Sequence, residues 1–243
     1  MPHPSLPESL ATPETKAPYV RRLFATIADR YDLITRLLSY GRDAAWKRRL
    51  VGMSGAGPSV RALDLACGTG DIAFALSERG ASVIGLDVTL RMLQLARAKT
   101  PPRPTVAFLA GDMLALPFHD SRFGLVTAGY GLRNVPRLEP AIAEIRRVLQ
   151  PGGVLLSLDF NRPANPVVRG VYLGYLTIVG SALGWILHRD PDTYRYIPES
   201  IKRYPGALGV ASLLERAGFE DCRVVPLLGG LMAINVARLR GGT

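Results

Sequence analysis

The chain has 243 residues, enough to bury a full-sized core as one domain with room for an insertion. Its formal charge is +10, with 30 basic residues, 26 of them arginine, against 20 acids, and 48% of residues are hydrophobic. The arginines are scattered, only 7% of residues are aromatic and no RNP-like run occurs, so nucleic acid is not expected as a partner and an anionic membrane or acidic small molecules remain.

In chain order, residues 1–18 have prolines and acids where a signal peptide needs a basic start and an apolar core, and they read as a mobile tail. Residues 19–51 are helical in pattern, broken near Gly41. Residues 60–66, "VRALDLA", read as a buried strand that runs into a glycine turn at Cys67–Gly70 and a helix from Asp71 to about Arg79. A second strand, 81–87, ends on Asp87, and Thr89 is placed to cap a helix through Lys99. Strands at 105–110 and 123–129, a helix at 138–150 closed by Pro151-Gly152-Gly153, and a strand at 154–160 follow. After an insertion at 161–206 come a helix at 207–218 and two strands joined by Gly229-Gly230, a hairpin signal. This alternation predicts an α/β fold: a doubly wound, mainly parallel sheet of seven strands with an antiparallel hairpin at its edge. Cys67 and Cys222 cannot make a disulfide framework and fit a reducing, cytoplasmic compartment. With the three histidines they show no metal-ligand spacing.

Ligands of such sheets sit at the carboxyl ends of the strands. There the sequence places Gly68-x-Gly70-x-x-Ala73, with Asp87 as an acid 19 residues after Gly68, which formally meets a dinucleotide fingerprint. Asp64 argues otherwise. A carboxylate inside an apolar strand needs a cation or donors to meet it, and it would repel a pyrophosphate. S-adenosylmethionine carries an ammonium and a sulfonium and no phosphate, so a pocket holding Asp64, Asp87 and Asp112 suits it better. On this reading Asp87 binds ribose hydroxyls and Asp112 accepts from the adenine amino group. Cys67 is read as a small residue lining the turn.

The arrangement resembles the class I methyltransferase fold, and from about residue 20 to 238 the chain is similar to the ubiquinone/menaquinone-biosynthesis C-methyltransferase family. The similarity rests on Tyr31, Asp32, Ser39 and Trp46 in "YDLITRLLSYGRDAAW", on "RVLQPGGVLLSLDF" (147–160), on "YGLRNV" (130–135) and on "DTYRYIPESI" (192–201). The chain departs from the family where Ile34-Thr35 replace methionine-asparagine, Asp43 replaces a histidine, Gln150 a lysine and Asp159-Phe160-Asn161 a glutamate-phenylalanine-serine. Gly129 stands where the family has a serine lining the cofactor site. The resemblance implies that S-adenosylmethionine contacts Thr69, Asp87, Asp112 and Met113; Asp64 and Gly68 join them on the charge argument above. It implies methyl transfer to a ring carbon of a polyprenyl hydroquinol, demethylmenaquinol or the related methoxybenzoquinol, with S-adenosylhomocysteine as product. A homodimer is compatible with it.

A ring carbon attacks best when its phenol is ionised, so the site needs an oxyanion stabiliser and a proton acceptor. Arg133 suits the first role, with Asn134 orienting the hydroxyl. Arginine stays protonated in proteins and is a poor base, so proton removal is assigned to a water ordered by Tyr31. The structural alternative pairs Arg133 with Asp32 or Asp159. Rival functions are a same-fold methyltransferase for another aromatic or secondary-metabolite acceptor, a nicotinamide-dependent oxidoreductase, and a binding protein with a vestigial site.

The insertion contains "GVYLGYLTIVGSALGWIL" (170–187), 18 residues without a charge, flanked by Arg169 and Arg189. Gly170-x-x-x-Gly174 and Gly180-x-x-x-Gly184 could pack closely. A single span would put parts of one sheet on opposite sides of a bilayer, so a core-packed helix or an apolar lid over a greasy substrate is expected, with salt-sensitive peripheral attachment to the inner face of the membrane. The domain reading is a tail (1–18) and one methyltransferase domain (19–243), with a helical cap at 19–58 and a substrate-covering insertion at 161–206.

Overall fold

A computed structural model describes residues 5–100 and 106–241. Seven strands form one sheet: β1 (Arg61–Leu65), β2 (Ser82–Asp87), β3 (Val106–Ala110), β4 (Phe123–Gly129), β5 (Leu149–Phe160), β6 (Phe219–Leu227) and β7 (Met232–Leu239). Their order is β3-β2-β1-β4-β5-β7-β6. β1 to β5 pair in parallel, and β7 runs antiparallel to both β5 and β6. The helices are α1 (Leu6–Ser9), α2 (Pro13–Ile27), α3 (Tyr31–Leu38), α4 (Asp43–Met53), α5 (Asp71–Ser77), α6 (Leu90–Ala98), α7 (Leu138–Val148), α8 (Pro166–His188), α9 (Asp192–Arg203) and α10 (Gly206–Arg216).

The central strands read as unbroken apolar runs because both of their faces are covered. Leu63 and Leu65 of β1 face one core with Ile142 and Ile145 of α7. Ala62 faces the other, with Trp46 and Leu50 of α4 and Leu76 of α5. This alternation follows from the two-residue period of a strand. It leaves the carboxyl ends of β1, β2 and β4 side by side, where the loops of the site begin.

Several expectations are corrected. The segment read as a mobile tail holds two helices, α1 and the first turns of α2, because Leu6, Leu10, Val20 and Leu23 bury against Tyr194 and Tyr196 of α9; its residues 1–4, like Thr105 of the third strand, lie outside the described residues. The 19–51 helix breaks at Gly41 (φ +73) as expected, and again in a 3-10 turn at Ala28–Arg30. Pro151-Gly152-Gly153 does not close a helix. α7 stops at Val148, and β5 already starts at Leu149, which pairs with Phe123 before a register shift brings Val154 opposite Leu125. Gly152, at φ +76, lies in that bulge, which is why a turn-like tripeptide sits inside a strand. Thr89 stands at the N-cap of α6, but its side chain makes no cap hydrogen bond, and its own amide donates to Asp87 Oδ1.

For α8 the core-packed reading is corrected, while the lid reading is not contradicted, since Tyr172 and Tyr175 line an apolar cavity. The helix is not packed in the core: it buries only Tyr172, Leu176, Gly180 and Gly184, one narrow stripe. Gly180 and Gly184 meet the backbone of Tyr194 and of Asp190-Pro191, whereas Gly170 and Gly174 meet nothing within 4 Å. One small-residue pair is therefore a packing face and the other is not. By length and composition α8 is the one helix among the described residues apolar enough to cross a membrane.

Candidate active site

β1 ends at Leu65, and the chain turns through three left-handed positions, Ala66 (φ +49), Gly68 (φ +53) and Gly70 (φ +90), before α5. A side chain at Gly70 would meet Phe74 and Phe108 at about 3 Å, so this turn requires glycine. The turn aims the Gly68 amide at Asp87, which accepts it at Oδ2 (2.9 Å) and the Thr89 amide at Oδ1 (2.8 Å). Burial raises the Asp87 carboxyl and these amides oppose the shift. Each oxygen retains lone-pair capacity for a ligand hydroxyl.

Asp64 has one satisfied oxygen. Thr127 Oγ1 donates to Oδ1 at 2.7 Å, while the buried Oδ2 has no partner. Burial pushes this carboxyl up to about 7. Asp64, Gly68, Thr69 and Gly129 line a small cavity with Lys47, Tyr31 and Tyr130. Gly68, Asp87, Asp112, Met113 and Gly129 line an adjoining cleft, which α2 roofs with Ala17, Val20, Arg21 and Phe24. Asp112 is exposed, with Oδ1 accepting the Leu114 amide at 2.9 Å. Thr69 commits its hydroxyl to Asp32 at 2.7 Å. Ile72 fills the space that a side chain at Gly129 would take, with Cδ1 2.6 Å from the position of its Cβ. The structure thus brings the residues read as cofactor-binding around two joined cavities.

A third cavity, about 480 Å³, opens on the other side of Tyr31 and Tyr130. Its walls are apolar and aromatic, from Phe24 and Ile27 of α2, Ile34 of α3, Phe160 of β5, Tyr172 and Tyr175 of α8 and Tyr196 of α9. Phe24, Tyr31 and Tyr130 line both this cavity and the cofactor cleft, so the two share a wall.

Arg133 is buried in that region. Its Nε donates to Asp159 Oδ1 and its backbone amide to Oδ2, both at 3.1 Å, which selects Asp159 over Asp32 as its acid. Nη1 donates to Asn134 Oδ1 (3.1 Å) and to Ser200 Oγ, and the guanidinium lies 5.1 Å from the Phe160 ring centroid. Asn134 Oδ1 also accepts from Tyr196 OH at 2.8 Å, and its Nδ2 donates to Tyr130 O at 2.6 Å. Burial raises the Asp159 carboxyl while the Arg133 charge opposes the rise. No protein hydrogen bond engages Arg133 Nη2 among the described residues, and Arg133 contributes to the cavity wall.

Sequence reasoning missed Lys47, Tyr130, Tyr196 and Ser200 as members of the site. Lys47 Nζ lies 2.7 Å from Asp43 Oδ2 and 2.8 Å from Asp71 Oδ2, and Tyr130 OH donates to Asp43 Oδ1 at 2.7 Å. The signals were present in part: Asp43 stood out as a departure, and Tyr196 and Ser200 fall within "DTYRYIPESI".

The model of the ubiE/COQ5 methyltransferase family matches residues 12–238. The chain belongs to that family. It is 42% identical over 217 residues to a demethylmenaquinone methyltransferase of Thermus thermophilus, covering 88% of this chain and 98% of that protein. Identity to the demethylmenaquinone methyltransferase of Staphylococcus aureus is 34% over 220 residues, covering 89% and 91%. Among solved structures, an S-adenosylmethionine-dependent methyltransferase of Thermotoga maritima superposes with TM-score 0.67 at 19% identity, covering 90% of this chain and 99% of that one. Phosphoethanolamine N-methyltransferase 2 of Haemonchus contortus, in complex with S-adenosylmethionine, gives 0.60 at 16%, covering 81% and 52%. Those two likenesses carry the fold, and the family carries the chemistry: this chain is an S-adenosylmethionine-dependent methyltransferase. Its residues fit that cofactor, because an ammonium group would give the orphaned Asp64 Oδ2 its missing partner and the Asp87 oxygens can still accept from a ribose.

Proposed function

We propose that this methyltransferase methylates a ring carbon of a reduced polyprenyl quinol, demethylmenaquinol or the related 2-polyprenyl-6-methoxy-1,4-benzoquinol. The observation that carries the reading is the apolar 480 Å³ cavity sharing a wall with the cofactor cleft, of a size and polarity for a quinol ring and the start of its prenyl tail. The names of the two relatives, both demethylmenaquinone methyltransferases, favour the naphthoquinol ring.

The bound cofactor supplies an electrophilic methyl group on a sulfonium. Asp64, Gly68, Thr69, Asp87, Asp112, Met113 and Gly129 hold it, and α2 shields it from water. Arg133 stabilises the negative charge that develops on the quinol oxygen, with Asp159 and Ser200 fixing the guanidinium so that no reorganisation is needed during the reaction. Asn134 lines the cofactor cleft and not the substrate cavity, and its amide, held by Arg133, Tyr196 and the Tyr130 carbonyl, braces the guanidinium instead of orienting the hydroxyl, while Tyr31 closes the boundary between ring and cofactor.

The protein reaches its substrate at a membrane surface. Leu33, Leu37 and Tyr40 form an exposed stripe from α3, and Val167, Val171, Tyr175 and Ile178 another along α8. The stripes meet where Tyr40 and Tyr175 stack at 6.2 Å, and both tyrosines line the cavity. Exposed Arg36, Arg42 and Arg189 belong to the same segments and suit anionic headgroups.

The test is methyl transfer from labelled S-adenosylmethionine to reduced demethylmenaquinol, read by mass spectrometry. Product from the quinol and none from the quinone is expected; methylation of the oxidised form, or of unrelated phenols only, refutes the reading. Anionic vesicles should bind the protein and release it in high salt, and release by detergent alone would make α8 an inserted segment.

A further inference from the structure

We propose that Tyr130 is a catalytic residue, taking the proton of the quinol hydroxyl while passing its own to Asp43; this rests on the quinol reading above. Tyr130 lines the substrate cavity, the cofactor cleft and the small cavity at Asp64, so it stands where ring and methyl group must meet. A phenol is a poor base alone and becomes an effective one when a carboxylate accepts its proton in the same step. Tyr130 OH already donates to Asp43 Oδ1 at 2.7 Å. Tyr31, the other hydroxyl at this junction, makes no hydrogen bond to an acid among the described residues, which favours Tyr130 over a water at Tyr31.

Two further features fit a relay. Tyr130 is held at φ +58, a conformation costly for a bulky side chain, and is over-determined by its own amide to Leu158 O (2.7 Å), by Asn134 Nδ2 on its carbonyl and by Asp43 on its hydroxyl. Lys47 bridges Asp43 and Asp71, and Lys99 bridges Asp71 and Asp32, so this network of three carboxylates and two ammonium groups carries one net negative charge. When Asp43 takes a proton, two carboxylates and two ammonium groups remain, and uptake leaves no uncompensated charge.

The step balances. The quinol O–H proton moves to Tyr130 Oη as the Tyr130 proton moves to Asp43 Oδ1, and the freed electron pair enters the ring. The ring carbon bonds to the methyl carbon, breaking the methyl–sulfur bond with its pair left on sulfur. That ring carbon then loses its hydrogen to water as a proton, restoring aromaticity, and the ring oxygen recovers a proton from Asp43 through Tyr130. One proton leaves per methyl transferred, and Asp43 and Tyr130 return to their starting state.

The experiment compares wild type with Tyr130→Phe, Asp43→Asn, the double variant and Tyr31→Phe, on short-chain demethylmenaquinols whose hydroxyls span a range of acidity. Tyr130→Phe should bind S-adenosylmethionine as wild type does and lose on the order of a hundredfold in turnover. The loss should shrink steadily as the acceptor becomes more acidic, since an ionised phenol needs no base. Asp43→Asn, which can accept the Tyr130 hydrogen bond but not its proton, should behave alike, and the double variant should be no worse than either single. A readout without turnover is the absorbance of a bound nitronaphthol at fixed pH, whose ionised fraction should be smaller in Tyr130→Phe. A loss independent of acceptor acidity, or a larger loss in Tyr31→Phe, overturns the assignment. Should wild type methylate no quinol, the quinol reading fails, and the nitronaphthol absorbance still decides whether Tyr130 takes a phenol's proton.

Discussion

Replacing Asp64 with asparagine separates the cost of a buried carboxylate from its use. The residue is 1% exposed, with Oδ1 held by Thr127 and Oδ2 unpartnered. Burial raises its carboxyl from 3.8 to about 7. Between those values the folded protein holds a proton that the unfolded chain has lost, so stability falls as pH rises through that window and levels off above it. The interval corresponds to about 4 kcal/mol at most in the free protein above pH 7. Asparagine keeps the Thr127 bond and carries no charge, but leaves its amide NH₂ unpartnered at a cost of about 1–3 kcal/mol. The net gain is on the order of 1–3 kcal/mol, a rise in Tm of roughly 3–10 °C for a chain of this size. At pH 5 only about 1.6 kcal/mol of that penalty is present, no more than the unpartnered amide costs, and the gain should vanish. With S-adenosylmethionine the order reverses: the variant loses a charge-assisted bond to the ammonium, and affinity should fall at least about tenfold. Wild-type affinity should rise as pH passes through 7, and that of Asp64→Asn should not. Thermal melts across this pH range, with calorimetric titration of the cofactor, measure both. Parallel wild-type and variant melts at every pH would refute the buried-charge argument, and equal cofactor affinity would take Asp64 out of the site.

Other perturbations report on neighbouring parts. Asp87→Ala removes the acceptor of two backbone amides as well as a ribose contact, so calorimetry should show cofactor affinity down at least about tenfold and denaturant titration a stability loss of about 1–3 kcal/mol. Arg133→Ala should lower turnover about a hundredfold and destabilise the fold by about 3–5 kcal/mol, because it strands the buried Asp159; adding Asp159→Asn should restore stability but not turnover, and recovery of both would make the arginine structural. Gly129→Ser should require Ile72 to change rotamer, visible as a shifted methyl resonance, with less than tenfold change in cofactor affinity. Lys16 donates to the Arg133 and Val135 carbonyls, and burial, then the Arg133 charge, lowers its ammonium from 10.5 to about 8. The unfolded chain therefore binds more protons between those values, so wild type should gain stability relative to Lys16→Met as pH rises from 8 towards 10.5.

The parallel sheet and its helices were legible in the sequence because strands buried on both faces are written as apolar runs and helices as a 3.6-residue period. Asp64, Gly68, Asp87 and Asp112 stood out for the same reason: each interrupts or ends such a run, where a polar residue or a glycine needs a local cause. The order of β7 between β5 and β6, the helical N-terminus and the outward face of α8 could not be read in this way. α1 and α2 depend on Tyr194 and Tyr196 of a helix far along the chain, and α8 has an apolar composition nearly all round, with no polar face to orient it. The choice of Asp159 over Asp32 for Arg133, and the bond from Tyr130 to Asp43 across 87 residues, were likewise decided only in three dimensions. Periodicity records which face of an element is buried. A pair of side chains from distant elements leaves no periodic trace, since its energy depends on a distance that exists only after the sheet has closed the gap between them.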